Sequence, residues 1–175
     1  MEVIGTVSGD GATIQISAVE DGMGGTTFRI EVIEGYADLR GFFFDYLGGP
    51  LTGVVNDSAY DSDLTELANA VTGSYLGSSG DDITKVGSND NNMNGTGETF
   101  DAGLLFGGSG GMSVKGTNDD VQLIEFTISG LMLDEIDGQS FGIRALSVGE
   151  TEEYRADSVK LLGTFDVTDD GGVLS

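Results

Sequence analysis

From the first residues, apolar and polar side chains alternate with a period of two, the pattern of strands that turn one face inward. Val3-Ile4-Gly5-Thr6-Val7 and Ala12-Thr13-Ile14-Gln15-Ile16-Ser17-Ala18-Val19 form the first such pair, with Ser8-Gly9-Asp10-Gly11 as the turn between them. After the turn Glu20-Asp21-Gly22-Met23-Gly24-Gly25, the period returns at Thr27-Phe28-Arg29-Ile30-Glu31-Val32-Ile33. The chain therefore opens with three successive strands. Alternation gives way at Ala37-Asp38-Leu39-Arg40-Gly41-Phe42-Phe43-Phe44-Asp45-Tyr46, the most hydrophobic segment. Its aromatic run suits a strand covered on both faces, and it is the predicted centre of the core. Pro50 closes it, and Leu51 to Val55 offers a further short strand.

Asp61 to Ala70 reads as the one helix, with acids in its first turn and Leu64, Leu67 and Ala68 on one face. From Thr72 to Gly97 the chain is rich in Gly, Ser, Asn and Asp, and Gly87 to Gly95 offers no apolar face of its own. That stretch is predicted to be a long functional loop, or a mobile one. Strands resume at Thr99–Phe106, with a return at Met112 to Val114 after the glycine break at Gly107-Gly108-Ser109-Gly110-Gly111. Val121–Ile128, Ser140–Val148 and Ser158–Val167 follow, and one helical turn is expected over Leu131 to Ile136. Roughly eight to ten strands separated by turns, with little helix, make an all-β, jelly-roll-like antiparallel β-sandwich. No linker interrupts it, so residues 1–175 are read as one domain.

Composition then narrows the chemistry. The 175 residues include 30 Gly and 1 Pro, and no Cys, His or Trp. Imidazole bases, thiolate nucleophiles, ordinary zinc sites and Ser-His-Asp triads are excluded, and what remains for metals is hard oxygen chemistry. Thirty Asp+Glu against 7 Lys+Arg set the formal charge at -23. Phosphate backbones and anionic membranes are repelled by such a surface, so neither nucleic acid binding nor membrane insertion is expected. No apolar run approaches the roughly 18–20 residues of a membrane helix, and Met1 to Thr6 lacks the basic and apolar pattern of a secretory leader. Zero Cys with abundant Gly, Asp and Asn leans toward a place outside the cell.

The acids and amides concentrate in turns, where Gly-rich backbone also exposes carbonyl oxygens. Calcium takes six to eight oxygens of these kinds. The best candidate ligand group is the stretch Asp81, Asp82, Asn89, Asp90, Asn92 and Asn94 together with Asp101, because its loop is too polar to order itself. Asn118, Asp119 and Asp120 come second, since they enter a strand directly. No cluster matches the twelve-residue calcium loop or a Gly-Gly-x-Gly-x-Asp repeat. Asn and Asp also cap turns with no ion present, and both readings stay open. No carboxylate pair stands out for sugar cleavage, aromatic platforms are limited to five Tyr, and Gly107–Gly111 lacks the Lys of a phosphate loop. No enzyme activity is expected.

At Ala37-Asp38-Leu39-Arg40-Gly41-Phe42-Phe43-Phe44-Asp45 the chain resembles a group of bacterial exported domains, found in proteins with calcium-binding repeats or a short C-terminal Pro-Glu-Pro sorting signal. Three later stretches follow the same pattern in the same order. They are Asn92-Met93-Asn94-Gly95 leading to Phe100-Asp101-Ala102-Gly103, Asp119-Asp120-Val121-Gln122 leading to Phe126-Thr127-Ile128-Ser129, and Phe141-Gly142-Ile143-Arg144 with Ser158-Val159-Lys160-Leu161. The resemblance spans residues 28–165 and implies an all-β, secreted domain. The chain has neither the repeats nor the sorting signal, and its acidic, hydroxyl-and-apolar ending, Asp169 to Ser175, resembles substrates of one-step type I export.

The expected function is a secreted, calcium-stabilised structural or adhesive protein. It would self-associate into an extracellular filament or matrix through edge strands, with cell-surface polysaccharide as a further partner. Met1 to Val7 and Leu161 to Val167 are apolar strands near the termini, able either to pair with a neighbour or to pair within their own sandwich. The alternative function is a calcium-dependent carbohydrate-binding module using Tyr side chains.

Overall fold

The computed structural model describes residues 1–56, 71–87, 92–106, 121–151, 153–154 and 157–168. The alternating segments become β1 (Glu2–Gly9), β2 (Ala12–Glu20) and β3 (Gly25–Glu34), joined as antiparallel hairpins. Asp10 and Gly11 both take positive φ, 52° and 92°, which gives the first hairpin the tight turn that matches strand twist. In the second, one oxygen of Asp21 accepts the backbone N–H of Met23 at 2.7 Å and of Gly25 at 2.9 Å.

The remaining strands are β4 (Tyr36–Phe44), β5 (Gly53–Asn56), β6 (Val71–Leu76), β7 (Ala102–Phe106), β8 (Leu123–Ser129), β9 (Ser140–Gly149) and β10 (Asp157–Thr164). One sheet runs β1-β2-β3-β8-β5 and the other β10-β9-β4-β7-β6, every pairing antiparallel. After β3 the chain changes sheet at nearly every step, wrapping two antiparallel layers around one core. The fold is the all-β sandwich that the alternation predicts. The helix expected over 61–70 and the return at Met112 to Val114 lie outside the described residues, and the helical turn near 131–136 is a 3-10 turn over Leu133–Glu135. All of strand β6 but Val71 falls inside the stretch predicted as loop. Its residues, Val-Thr-Gly-Ser-Tyr-Leu, alternate only weakly because β6 lies at a sheet edge with three of its six residues exposed.

Both terminal strands pair within their own sandwich. β1 bonds β2, β10 bonds β9, and the Asp166 N–H reaches the Ile4 carbonyl at 2.9 Å, tying the chain after β10 to β1.

The core is aromatic, and β4 is its hub. Phe42 lies within 6.5 Å, centroid to centroid, of Phe28, Phe44, Phe126, Phe141 and Phe165. Burying each ring contributes about 1.5–3 kcal/mol, and each well-set aromatic pair about 0.5–1.5 more. Phe43 points the other way. It seats a second, smaller core with Val86, Met93 and Phe100 on the outside of the sheet. Its cross-strand neighbours are Gly103 on β7 and Gly142 on β9. A Cβ at Gly103 would stand 2.7 Å from the Phe43 ring, and one at Gly142 2.6 Å from the Met93 methyl. The glycines make the trough into which Phe43 and Met93 fit.

Replacing Phe43 by Ala is expected to cost about 3–5 kcal/mol in urea unfolding. Because the cost falls on the outer core, limited proteolysis should cut within residues 77–87 of this variant at urea concentrations where the sandwich is still folded. Cleavage no earlier than in the parent would show that the outer core does not hold the segment.

Candidate functional site

The second core is made by a strap. After β6 the chain doubles back on itself through bridges Ile83↔Phe100 and Lys85↔Asn92, with residues 88–91 outside the described set. The Ile83 and Phe100 backbones exchange two hydrogen bonds of 2.9 Å, and Met93 N–H reaches the Thr84 carbonyl at 2.7 Å. Gly87–Gly95 does supply an apolar contact, contrary to the sequence expectation. Met93 is completely buried, because the trough of Gly142 admits its side chain. One methionine among amides carries no periodic signal, so nothing local marks it as core.

The strap's predicted oxygen ligands divide into two groups. Asn92 and Asn94 lie on its outer arm: Asn92 Oδ1 accepts Asn94 N–H at 3.0 Å, and Asn94 Oδ1 accepts the Thr84 hydroxyl at 2.5 Å. The Lys160 ammonium of β10 donates to the Asn94 carbonyl and holds that arm down. Asp81, Asp82 and Asp101 gather where the strap meets the sheet. Asp101, almost fully buried, accepts Tyr46 N–H at 3.1 Å and Gly80 N–H at 2.8 Å. Asp81 accepts the Tyr75 hydroxyl at 2.8 Å and Ser78 N–H at 2.9 Å, while Asp82 accepts the Thr99 hydroxyl at 3.0 Å. The Tyr46 hydroxyl closes the same region on the Gly77 carbonyl at 2.5 Å. Asn89, Asp90, Asn118, Asp119 and Asp120 lie outside the described residues.

Asp45 belongs to this region and went unrecognised in the sequence. Its Oδ1 accepts the Asp101 N–H at 3.1 Å, so the residue just after β4 is bonded to the one just before β7. Only the β4–β7 pairing brings the two acids together, and no spacing along the chain announces it. Burial pushes Asp45 up to about 6, and the negative charge of Asp101 adds to this, with smaller contributions from Glu98 and Asp82. Asp81 moves the other way, lowered by the Ser78 N–H and then by the Tyr75 hydroxyl. Tyr46 is raised, first by burial and then by Asp101 and Asp81.

Chemically, most of these carboxylates brace backbone. They satisfy N–H groups that the glycine-rich strap would otherwise leave unpaired. Among the described residues no three carboxylates converge on a common point in the manner of a metal site. The donor set is nonetheless hard oxygen, and the mutual repulsion around Asp45 is of the kind a divalent cation relieves. Neither of the two described grooves includes Asp45 or Asp101.

The raised Asp45 has a definite linkage sign. The folded protein holds this proton more tightly than the unfolded chain, whose value is near 3.8. The neutral carboxyl therefore favours folding; its contribution is complete below about 3.8 and is lost as pH rises through about 6. Asp45→Asn keeps the acceptor for Asp101 and removes the charge. It is expected to be more stable than the parent near pH 8, by about 1 kcal/mol once solvent screening of this half-exposed group is allowed for, and equal to it near pH 4. Paired thermal melts across that range check the crossover. No family model, no curated protein and no solved structure matches the chain, so its own residues and geometry carry the functional reading.

Proposed function

We propose that the chain is a non-enzymatic, secreted structural or adhesive module, braced by calcium and self-associating into an extracellular filament or matrix. The observation that carries this reading is the use made of its charges. Four of the seven cationic side chains serve internal contacts: Arg29 pairs with Glu125, Arg40 with Asp38, Arg144 bonds the Val159 carbonyl and Lys160 the Asn94 carbonyl. A surface with so large an excess of carboxylates repels copies of itself, and multivalent cations are the direct remedy.

An extracellular address accords with the resemblance at Ala37–Asp45 and with the absence of Cys. Among the described residues no helix is long and apolar enough to cross a membrane. Self-association would use the edges away from the termini, because the chain just beyond β10 is hydrogen-bonded to β1 through Asp166 N–H and the Ile4 carbonyl. β5 is the edge strand of its sheet opposite β1, and Val55 on it is 56% exposed. Such an edge is where β-pairing between copies begins. The carbohydrate-binding alternative draws on Tyr75, a residue 41% exposed whose hydroxyl Asp81 fixes.

Millimolar calcium is expected to raise the thermal midpoint and chelator to lower it, since an ion that binds only the folded state stabilises it by mass action. An unchanged midpoint in both would remove calcium from the account. Sedimentation at rising protein concentration with calcium present should show growing assemblies, and Val55→Lys should suppress them. A strict monomer together with chelator-sensitive binding on a glycan array would favour the carbohydrate module.

A further inference from the structure

A groove of about 650 Å³ opens at the end of the sandwich where β2 finishes, the 3-10 turn begins and the chain leaves β10. Its floor is apolar. Leu133 and Val167 are half-buried, packed on the main core on one side and open to the groove on the other; the core residue Ala18 of β2 also lines it, and Val19 and Met1 add apolar flanks. Its rim is acidic: Glu2, Glu20, Asp134 and Asp137 surround the floor, and no Lys or Arg side chain lines it.

The walls are held by hydrogen bonds between distant parts of the chain. Glu20 accepts Leu133 N–H at 3.0 Å, Asp137 accepts Val167 N–H at 3.0 Å, and Glu2 accepts both the N–H and the hydroxyl of Thr168, at 3.0 and 2.6 Å. Four segments separated in sequence are thereby fixed before any ligand arrives, which lowers the ordering cost of binding.

We propose that this groove docks a basic, extended peptide segment of a partner protein, with lysine or arginine side chains alternating with apolar ones. The argument is charge complementarity joined to shape. A lysine side chain is an apolar stem carrying a charged head; the stem matches the floor and the head matches the rim. A concave, low-dielectric site ringed by carboxylates focuses the field that draws such a cation in. A second copy of this chain is a poor occupant, because it brings a charge of -23 and only seven cationic side chains. The groove shares no residue with the candidate calcium ligands, so the proposal stands apart from that reading and is tested without calcium.

The probe is a labelled hexapeptide alternating lysine with leucine, titrated by fluorescence anisotropy at physiological salt, with amide chemical shifts recorded in parallel. Binding should perturb Val19, Glu20, Leu133 and Asp134 first. Asp134→Lys should weaken it about tenfold with an unchanged thermal midpoint, since Asp134 is exposed. Glu153→Lys makes the same charge change near the opposite end, toward the β1–β2 turn where Gly11 faces Glu150, and should leave affinity within about twofold. Replacing leucine by serine in the peptide should also weaken binding about tenfold. Equal losses from both variants, shifts spread over the whole acidic surface, or indifference to the leucine change would each overturn the proposal by reducing it to general attraction toward an anionic protein.

Discussion

Phe42, Phe43 and Phe44 alternate across β4, so two rings enter the sandwich and the third leaves it. A ring of that size facing water on the central strand of a sheet forfeits its burial energy and invites association. The strap answers this constraint by bringing Val86, Met93 and Phe100 over Phe43. Gly103 and Gly142 have no side chains for the same reason, since the space beside Phe43 is already taken. The acid-rich region inherits its place from this packing, because Asp45 follows Phe44 and Asp101 follows Phe100.

Carboxylates in this molecule do two kinds of work. Most accept backbone N–H groups in turns, as Asp21 does in its hairpin and Asp101 does between Tyr46 and Gly80. Others pair with arginine on the sheets: Glu125 with Arg29 at 2.5 Å, and Asp38 with Arg40 at 3.4 Å while also accepting Val121 N–H at 2.9 Å. Asp45 is the exception, set beside another acid in a partly dry position, and it carries the strain of the charge imbalance. The same imbalance, spread over the surface, repels anionic groups and attracts cations.

Strands were the most legible part of the sequence. Alternation in Ala12–Val19 and Thr27–Ile33, the turn at Asp10-Gly11 and the unbroken apolar run before Asp45 each have a local physical cause, and β1 to β4 follow from them. β6 and the second core did not follow. An edge strand with half of its residues exposed lacks the pattern, and a lone Met93 among amides looks like a loop residue until Gly142 on another strand receives it.

The candidate ligands show the same division. Composition alone identified acid and amide oxygens in turns as the chain's available chemistry, because no other ligand type is present. It could not say that Asn92 and Asn94 would bond each other and Thr84, or that Asp101 would meet Asp45. Nor could it tell that Glu2, Glu20, Asp134 and Asp137 would ring one groove. Local alternation, turn chemistry and charge are properties of neighbouring residues, and the sequence by itself determined them. Which acids meet depends on strand order and register across two sheets, and there the tertiary structure alone decided, because burial of the aromatic core selects the pairing and the acids are carried along with it.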